Sequence, residues 1–377
     1  MKAANALACV CALACACALS ACAQSGFAGG SFVADAAADA PPDDVSPGTD
    51  ALAVDTLPVD TQTPDLPAGP VLELKANGDY LGGALAVIQT AHTQLDITQF
   101  ETTNGSYLDI LLGAVKEAQH RGVQVRVLLD DEIANNLAVV NLLKAAGVQA
   151  KLDSPKLRTH IKLIRSEQGF VLGSTNWSQS SMQYNNETNF LVRDVNANAV
   201  TAKYFTTLWT DSSKPVAATT SSDKNVAIYA DGGYQTVVQP LVKAAKTRIL
   251  LCTYGMNTDD SRVKAVLADV QAAVKRGVQV QAVLDQSPAD FGGDPSVNAD
   301  AGKYLKTLGI DVRNDSQSVI THAKFIVIDD TVVLGSNNWG YGGFVGYHEA
   351  GVRSSFPDAV TAVVTYFSKL WASATPI

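Results

Sequence analysis

The chain has 377 residues, 47% of them hydrophobic and 17% charged, with 28 Lys and Arg against 37 Asp and Glu and a formal net charge of −9. The apolar content excludes wholesale disorder, the lack of a short Gly or Pro period excludes a collagen-like chain, and the length suits about two domains. Five of the six cysteines lie in the first 22 residues, so beyond them a cysteine zinc site is excluded, and a disulfide framework too except for a conceivable Cys22–Cys252 pair.

In chain order, Met1–Cys22 (MKAANALACVCALACACALSAC) sets one positive charge, Lys2, before an uncharged run of small and apolar residues. This is the pattern of a secretory signal peptide. The run closes on Leu19-Ser20-Ala21-Cys22, which resembles the lipobox of bacterial lipoproteins. The resemblance implies cleavage before Cys22, lipidation of its thiol, and an exported protein anchored to the cell envelope. Ala23 rather than Asp after the cysteine implies the outer membrane in a Gram-negative cell. Plain secretion and an uncleaved anchor are the alternatives, since the run is near the spanning minimum of about 17 residues.

Residues 23–72 hold seven of the 14 prolines and eight Asp, with no Lys, Arg or Glu. Such a stretch cannot bury enough surface to offset its ordering entropy, so it is expected to be a disordered, extended tether. Setting it and Lys2 aside leaves 27 basic and 29 acidic residues. A body so near neutrality does not advertise a polyanion partner.

From residue 73 onward the chain repeats itself. Arg121-Gly-Val-Gln-Val125 returns as Arg276-Gly-Val-Gln-Val280, an offset of 155, and Leu129-Asp130 returns as Leu284-Asp285. Thr159-His160-Ile-Lys162 returns as Thr321-His322-Ala-Lys324, an offset of 162 shared by Leu172–Trp177 with Leu334–Trp339 and by Tyr204-Phe205 with Tyr366-Phe367. Seven extra residues therefore fall near Gln286–Asp300, an insert expected to be a solvated loop, because the spacing of Asp290 and Asp294 is not that of a calcium loop.

In the first half the spacing predicts helices over 80–94, 107–121, 137–146 and 198–209, with Gly122 and Gly147 as stops. It predicts strands over 95–100, 123–130, 161–165, 170–172 and 189–193, with a hairpin turn at Gln168-Gly169. The second half repeats the order. The expected fold is α/β: a duplicated α/β/α sandwich whose halves, 73–215 and 225–377, carry mixed, largely parallel sheets related by a pseudo-two-fold axis.

His160-x-Lys162 followed by Gly173-Ser174-x-Asn176, and His322-x-Lys324-x4-Asp329 followed by Gly335-Ser336-x-Asn338, resemble the paired HKD motifs of the phospholipase D superfamily. The likeness covers nearly all of 73–377. A Glu stands 27 residues after each His, at Glu187 and Glu349, as in the family. The first copy departs from the pattern, with Glu167 at the Asp position. The resemblance implies a structural role for that acid, although Asp329 is grouped here with the catalytic set.

The residue types suit phosphodiester cleavage. An imidazole can attack phosphorus or protonate the leaving alkoxide, so two histidines, one neutral and one protonated, could divide the work. Lys162 and Lys324 would supply the positive charge that a metal supplies elsewhere, so no metal or cofactor is expected. Ser174, Asn176, Ser336 and Asn338 could donate to the phosphoryl oxygens, with Gly173 and Gly335 letting backbone approach the phosphate. Glu187 and Glu349 could fix the histidine tautomers. The resemblance implies a covalent phosphohistidine on His160, with His322 as acid and then base.

Of the other histidines, His92 and His120 read as surface residues, and His348 stands next to Glu349. Gly340–Tyr347 reads as a glycine-rich aromatic loop at the pocket mouth, Trp177 and Trp339 as packing beneath the site, and Cys252 as a buried small hydrophobe. The leading function is a membrane-tethered, monomeric hydrolase of phospholipid head groups. The alternatives are an exported nuclease acting on nucleic acid, a cardiolipin synthase-like phosphatidyl transferase, and an inactive binding module.

Overall fold

The strands lie where the β-branched runs are, and the helices that connect parallel strands lie in the first part of each half. A computed structural model describes residues 65–216, 225–287 and 296–377. The signal segment, Cys22 and most of the tether and of the Gln286–Asp300 insert lie outside these residues.

The first half runs β1 (Leu72–Ala76), α1 (Asp79–Gln89), β2 (Gln94–Gln99), α2 (Ser106–His120), β3 (Gln124–Leu129), α3 (Ala134–Ala145), β4 (Gln149–Leu152), β5 (Lys162–Ser166), β6 (Phe170–Gly173), α4 (Gln179–Gln183), β7 (Thr188–Val192) and α5 (Val195–Thr210). The second half runs β8 (Val226–Ala230), α6 (Gly233–Ala244), β9 (Arg248–Thr253), α7 (Ser261–Lys275), β10 (Gln279–Leu284), α8 (Ser296–Thr307), β11 (Asp311–Asn314), β12 (Phe325–Ile328), β13 (Thr331–Gly335), β14 (Ala350–Ser354), α9 (Pro357–Ser373) and β15 (Thr375–Pro376).

Among the described residues the strands form two mixed sheets, ordered β1-β7-β6-β5-β2-β3-β4 and β15-β11-β10-β9-β12-β13-β14-β8. The expectation of largely parallel sheets is corrected. Only β2–β3–β4 and β9–β10–β11 run parallel, where α2, α3, α7 and α8 carry the chain back between neighbouring strands. β5, β6 and β7 have no crossover helix and pair antiparallel, as do β12, β13 and β14.

Helix α2 illustrates how local sequence sets the elements. Leu108, Leu111, Leu112, Val115 and Ala118 bury one face at helical spacing. The helix stops where Gly122 adopts φ 90°, a left-handed position that costs glycine little. The Val123 amide then reaches Ala118 O at 3.2 Å and the Gly122 amide reaches Gln119 O at 3.0 Å, which satisfies two terminal carbonyls.

The central strands are buried on both faces, so alternate residues serve different cores. Leu163, Leu172 and Phe190 face a central core that also holds Phe325, Leu334, Val352 and Phe367 of the second half. Their neighbours Ile164, Val171 and Leu191 face a core belonging to the first half alone. A third core serves the second half. The shared core joins the halves, and truncating one of its aromatics, such as Phe190, would cost about 3–5 kcal/mol.

Residues 65–72, assigned to the tether on composition, are held on the first half. Leu72 is buried and pairs with Val192. The Arg193 guanidinium donates to Pro67 O and Pro70 O at 3.0 Å, and the Leu66 amide donates to Gln168 Oε1. Proline and Asp content hid a short edge strand that the long Arg193 side chain secures.

Candidate active site

Each His-x-Lys pair sits where the loop enters a central strand, β5 or β12. Residues two apart on a strand point the same way, so His and Lys share one side while Ile161 and Ala323 turn into the cores. Lys162 and Lys324 are buried, and each Nζ donates to the carbonyl of its own histidine at 2.7 Å. An aromatic ring lies against each pair. Phe100 is 4.9 Å from the His160 ring and 5.0 Å from Lys162 Nζ. Tyr254 is 4.8 Å from the His322 ring and 4.9 Å from Lys324 Nζ.

The carboxylates cross between halves. Glu349 Oε1 lies 2.9 Å from His160 Nδ1, and Glu187 Oε1 lies 3.0 Å from His322 Nδ1. Each glutamate also accepts from the motif serine of its own half, Ser174 on Glu187 and Ser336 on Glu349. A closed circuit results: His160, Glu349, Ser336, then Gly335 bonded to Lys324, then His322, Glu187, Ser174, and Gly173 paired with Lys162. The backbone reinforces it, since the His160 amide donates to His348 O at 3.0 Å and the Ala323 amide to Asn186 O at 2.8 Å. The two histidines, far apart in sequence, are thus linked through one hydrogen-bonded circuit.

Matched residues hold each glutamate from behind. The Glu187 amide donates to Asn77 Oδ1 at 2.8 Å and the Glu349 amide to Asp231 Oδ1 at 3.2 Å. Both holders adopt positive φ, 50° and 44°. Tyr366 OH donates to Asn77 Oδ1 at 2.8 Å, and Tyr204 OH to Asp231 Oδ1 at 2.7 Å. His348 is buried, with its ring nitrogens 3.0 Å from Asp231 Oδ2 and 2.9 Å from Ser212 O. Burial opposes its protonation, but the Asp231 carboxylate prevails and raises its pKa.

Residues 84–209 and 238–371 both match the family model described as "Cardiolipin synthase, PLD-like domain". The chain belongs to this phospholipase D-like family. The mitochondrial cardiolipin hydrolase of Mus musculus is 29% identical over 153 residues, 39% of this chain and 67% of that one. The Homo sapiens protein of the same name is 30% identical over 132 residues, 34% of this chain and 51% of that one. The chain therefore spans between about half and two thirds of the length of these curated relatives. In fold it is similar to the phosphatidylserine synthase of Haemophilus influenzae Rd KW20, with TM-score 0.67, 10% identity, and coverage of 81% of this chain and 87% of that one. It is also similar to the polyphosphate kinase of Porphyromonas gingivalis, with TM-score 0.62, 14% identity, and coverage of 81% and 48%.

Several expected members of the phospholipase D-like site stand elsewhere. Asp329 lies past the far end of β12, where it accepts from the Lys246, Thr247 and Arg248 amides and the Thr247 hydroxyl at 2.7–3.1 Å. Burial would raise its pKa, but these donors, the Thr247 hydroxyl foremost, lower it to about 2. Tyr254, at the site, follows the other end of β9, so Asp329 is a strand-end cap and not a site residue. Glu167 does the same in the first half, accepting from the His92, Thr93 and Gln94 amides; one extra methylene leaves that cap intact. The serine hydroxyls face the glutamates rather than open space. Added Cβ atoms at Gly173 or Gly335 would strike the neighbouring strand, so close strand packing requires those glycines. Asn176 Nδ2 donates to Glu101 Oε2 at 2.9 Å, and the Asn338 carboxamide oxygen is buried.

Other expectations hold. Trp177 and Trp339 are buried, bonded to Tyr80 and Tyr234 at 2.9 and 3.0 Å. Cys252 is free and buried in β9. The glycine-rich segment is a π-helical turn over Gly342–Gly346 that buries Phe344 and brings Tyr347 to 6.2 Å from the His160 ring.

Sequence reasoning missed Phe100 and Tyr254, Asn77 and Asp231, and two aspartates that hold the motif loops. Asp130 Oδ2 accepts from the Thr159 amide at 2.8 Å, and Asp285 Oδ1 from the Thr321 amide at 2.7 Å, each next to a histidine. Both close repeated strands, and their offset of 155 is the signal the sequence carries for them. Desolvation raises the Asp130 pKa to about 6; desolvation and the adjacent Asp130 raise that of Asp153 to about 7.

Proposed function

We propose that the chain is a phosphodiesterase that hydrolyses phospholipid head groups through a phosphohistidine. One observation carries this reading: two imidazoles from opposite halves, each bound through Nδ1 by a buried carboxylate, in a site flanked by two buried lysines. A carboxylate on Nδ1 favours the tautomer whose Nε2 lone pair is free to attack, and it stabilises the imidazolium when the same ring serves as acid. His160 attacks phosphorus, a bond forms from imidazole nitrogen to phosphorus, and the alkoxide leaves with a proton from His322. His322 then takes a proton from water, whose oxygen displaces His160. Lys162, Lys324, Asn176 and Asn338 supply charge and donors to the phosphoryl oxygens. Ser174 and Ser336 act by holding the glutamates. A lipid anchor at Cys22 would keep the body, as a monomer, at the membrane where such a substrate lies.

Phosphatidyl transfer is the second reading, favoured by the description of the family model. It uses the same first step and differs only in whether an alcohol or water meets the intermediate. Among the described residues no helix is long and apolar enough to cross a membrane.

The test offers the protein phosphatidylcholine, phosphatidylglycerol and single-stranded DNA. Release of free head group, lost in His160→Ala and in His322→Ala, supports hydrolysis. Cardiolipin formed from phosphatidylglycerol without net head-group hydrolysis would replace it with transfer. DNA cleavage alone, or no turnover, would refute both.

A further inference from the structure

Behind the two glutamates the halves differ in charge. Asn77 and Asn186, both uncharged, adjoin Glu187, and Asn186 Nδ2 donates to Thr321 Oγ1 at 2.9 Å. The corresponding residues at Glu349 are Asp231 and His348, 1% and 0% exposed. His348 Nε2 lies 2.9 Å from Ser212 O, and Nδ1 lies 3.0 Å from Asp231 Oδ2. A carbonyl oxygen only accepts, so Nε2 carries a proton. The Asp231 carboxylate is an acceptor too, since the Val216 and Glu349 amides and the Tyr204 hydroxyl already donate to it. A bare Nδ1 would set its lone pair against a carboxylate oxygen, so Nδ1 also carries a proton. Two acceptors on one ring thus require the imidazolium.

We propose that His348 is a positioning residue, held as a buried imidazolium, whose ring fastens the chain that crosses between the halves while its backbone fixes His160. The part that concerns His160 rests on the phosphodiesterase reading above. The His348 amide donates to Arg158 O at 2.8 Å, and its carbonyl accepts from the His160 amide at 3.0 Å. Its ring holds Ser212 O, and Asp231 holds the Val216 amide, both in the stretch that leaves α5 for the second half. Ser212 Oγ in turn accepts from the Ser154 amide at 2.9 Å. A displaced ring therefore disturbs the His160–Glu349 pair and leaves Glu187 and His322 on their neutral asparagines. The acids around the ring are Asp231 at the end of β8, Asp153 after β4 and the adjoining Glu349; Tyr204 of α5 acts through Asp231, and Arg158 and His160 meet the backbone. Burial opposes the charge, and the Asp231 hydrogen bond and charge outweigh it. Folding raises the affinity for this proton. The fastening is therefore complete below about pH 6.5, the ordinary histidine value, and is lost as pH rises through the higher folded value.

The test is nitrogen NMR of the full chain with isotope-labelled histidine. The His348 signal is the one absent from His348→Asn, which copies Asn186. At pH 7.5 an ordinary histidine is only about one-tenth protonated, whereas His348 is expected to carry protons on both nitrogens. A bare nitrogen there would overturn the imidazolium. Asp231→Asn, which copies Asn77, is expected to return the ring to a neutral tautomer, and it supplies the assignment if His348→Asn does not fold. In either variant the titration midpoint of His160 is expected to move by about half a pH unit or more, with that of His322 unmoved. Movement of both midpoints alike, or of neither, would overturn the positioning role. Turnover of bis(p-nitrophenyl) phosphate tests the phosphodiesterase reading separately: its absence from wild type counts against that reading and leaves the NMR result standing. In active enzyme His348→Asn is expected to lower kcat about tenfold at neutral pH with KM within about twofold, and to abolish the fall in kcat where the wild-type ring titrates. An unchanged kcat would overturn the positioning role.

Discussion

Glu349 stands 2.9 Å from His160, although 189 residues and the boundary between the repeats separate them. Its counterpart Glu187 stands 3.0 Å from His322. Neither motif histidine finds its glutamate within its own half, so the proposed site exists only when the halves dock. The central core shared by both sheets is therefore a condition of the chemistry as well as of stability.

Crossing makes a pairing prediction. Glu349→Gln should cost activity about 100-fold or more in a wild-type background and little further in His160→Ala, because groups that act as a unit are not additive. Glu187→Gln should couple to His322 in the same way. Double-mutant kinetics check this; coupling of each glutamate to the histidine of its own half would contradict the geometry.

The serines predict a split in kinetic constants. Ser174→Ala and Ser336→Ala remove a bond to a glutamate that orients an imidazole, so kcat should fall about tenfold with KM nearly unchanged. A rise in KM at constant kcat would return the hydroxyls to the phosphate.

Asp329 predicts a stability effect. Asp329→Ala removes an acceptor from three backbone amides and a hydroxyl, so the melting temperature should fall by several degrees at pH 7. Specific activity of the folded protein at 25 °C should change by less than about threefold, the energy of a remote cap being absent from the transition state. Because the folded pKa is lowered, the contribution is present above about pH 4 and fades as pH falls toward 2. Melting curves across pH check both.

Asp153 predicts the opposite pH dependence. Its pKa is raised to about 7, and one of its buried oxygens has no hydrogen-bond partner among the described residues. The folded state therefore binds the extra proton, and stability falls as pH rises from about 4 through 7. Asp153→Asn should raise the melting temperature at pH 8 and leave it nearly unchanged at pH 4. Equal shifts at both pH values would show that ionisation is not the cause.

The duplication made the fold and most of the site legible, because repeated His, Lys, Ser, Asn and Glu at one offset are hard to explain by packing alone. What stayed hidden has physical reasons. A spacing of 27 residues from His to Glu is the same whichever histidine the glutamate meets, so only three dimensions reveal the crossing. Phe100 and Tyr254 share a role but not an identity. Asn77 and Asp231 act through positive φ, which Asn and Asp adopt without a distinctive pattern. Leu72 was hidden by the prolines around it, and the antiparallel pairing of β5, β6 and β7 by their continuous apolar runs, which read alike in either orientation.

The central claim, one phosphate shared by two histidines from different halves, is tested most directly by trapping the intermediate. Rapid acid-free denaturation during turnover of a phosphodiester, followed by peptide mapping, should find an acid-labile phosphoryl adduct on His160. The adduct should be absent in His160→Ala and should accumulate in His322→Ala with a substrate whose leaving group needs no proton. Comparable adducts on both histidines of wild type, or undiminished turnover in His160→Ala, would contradict it.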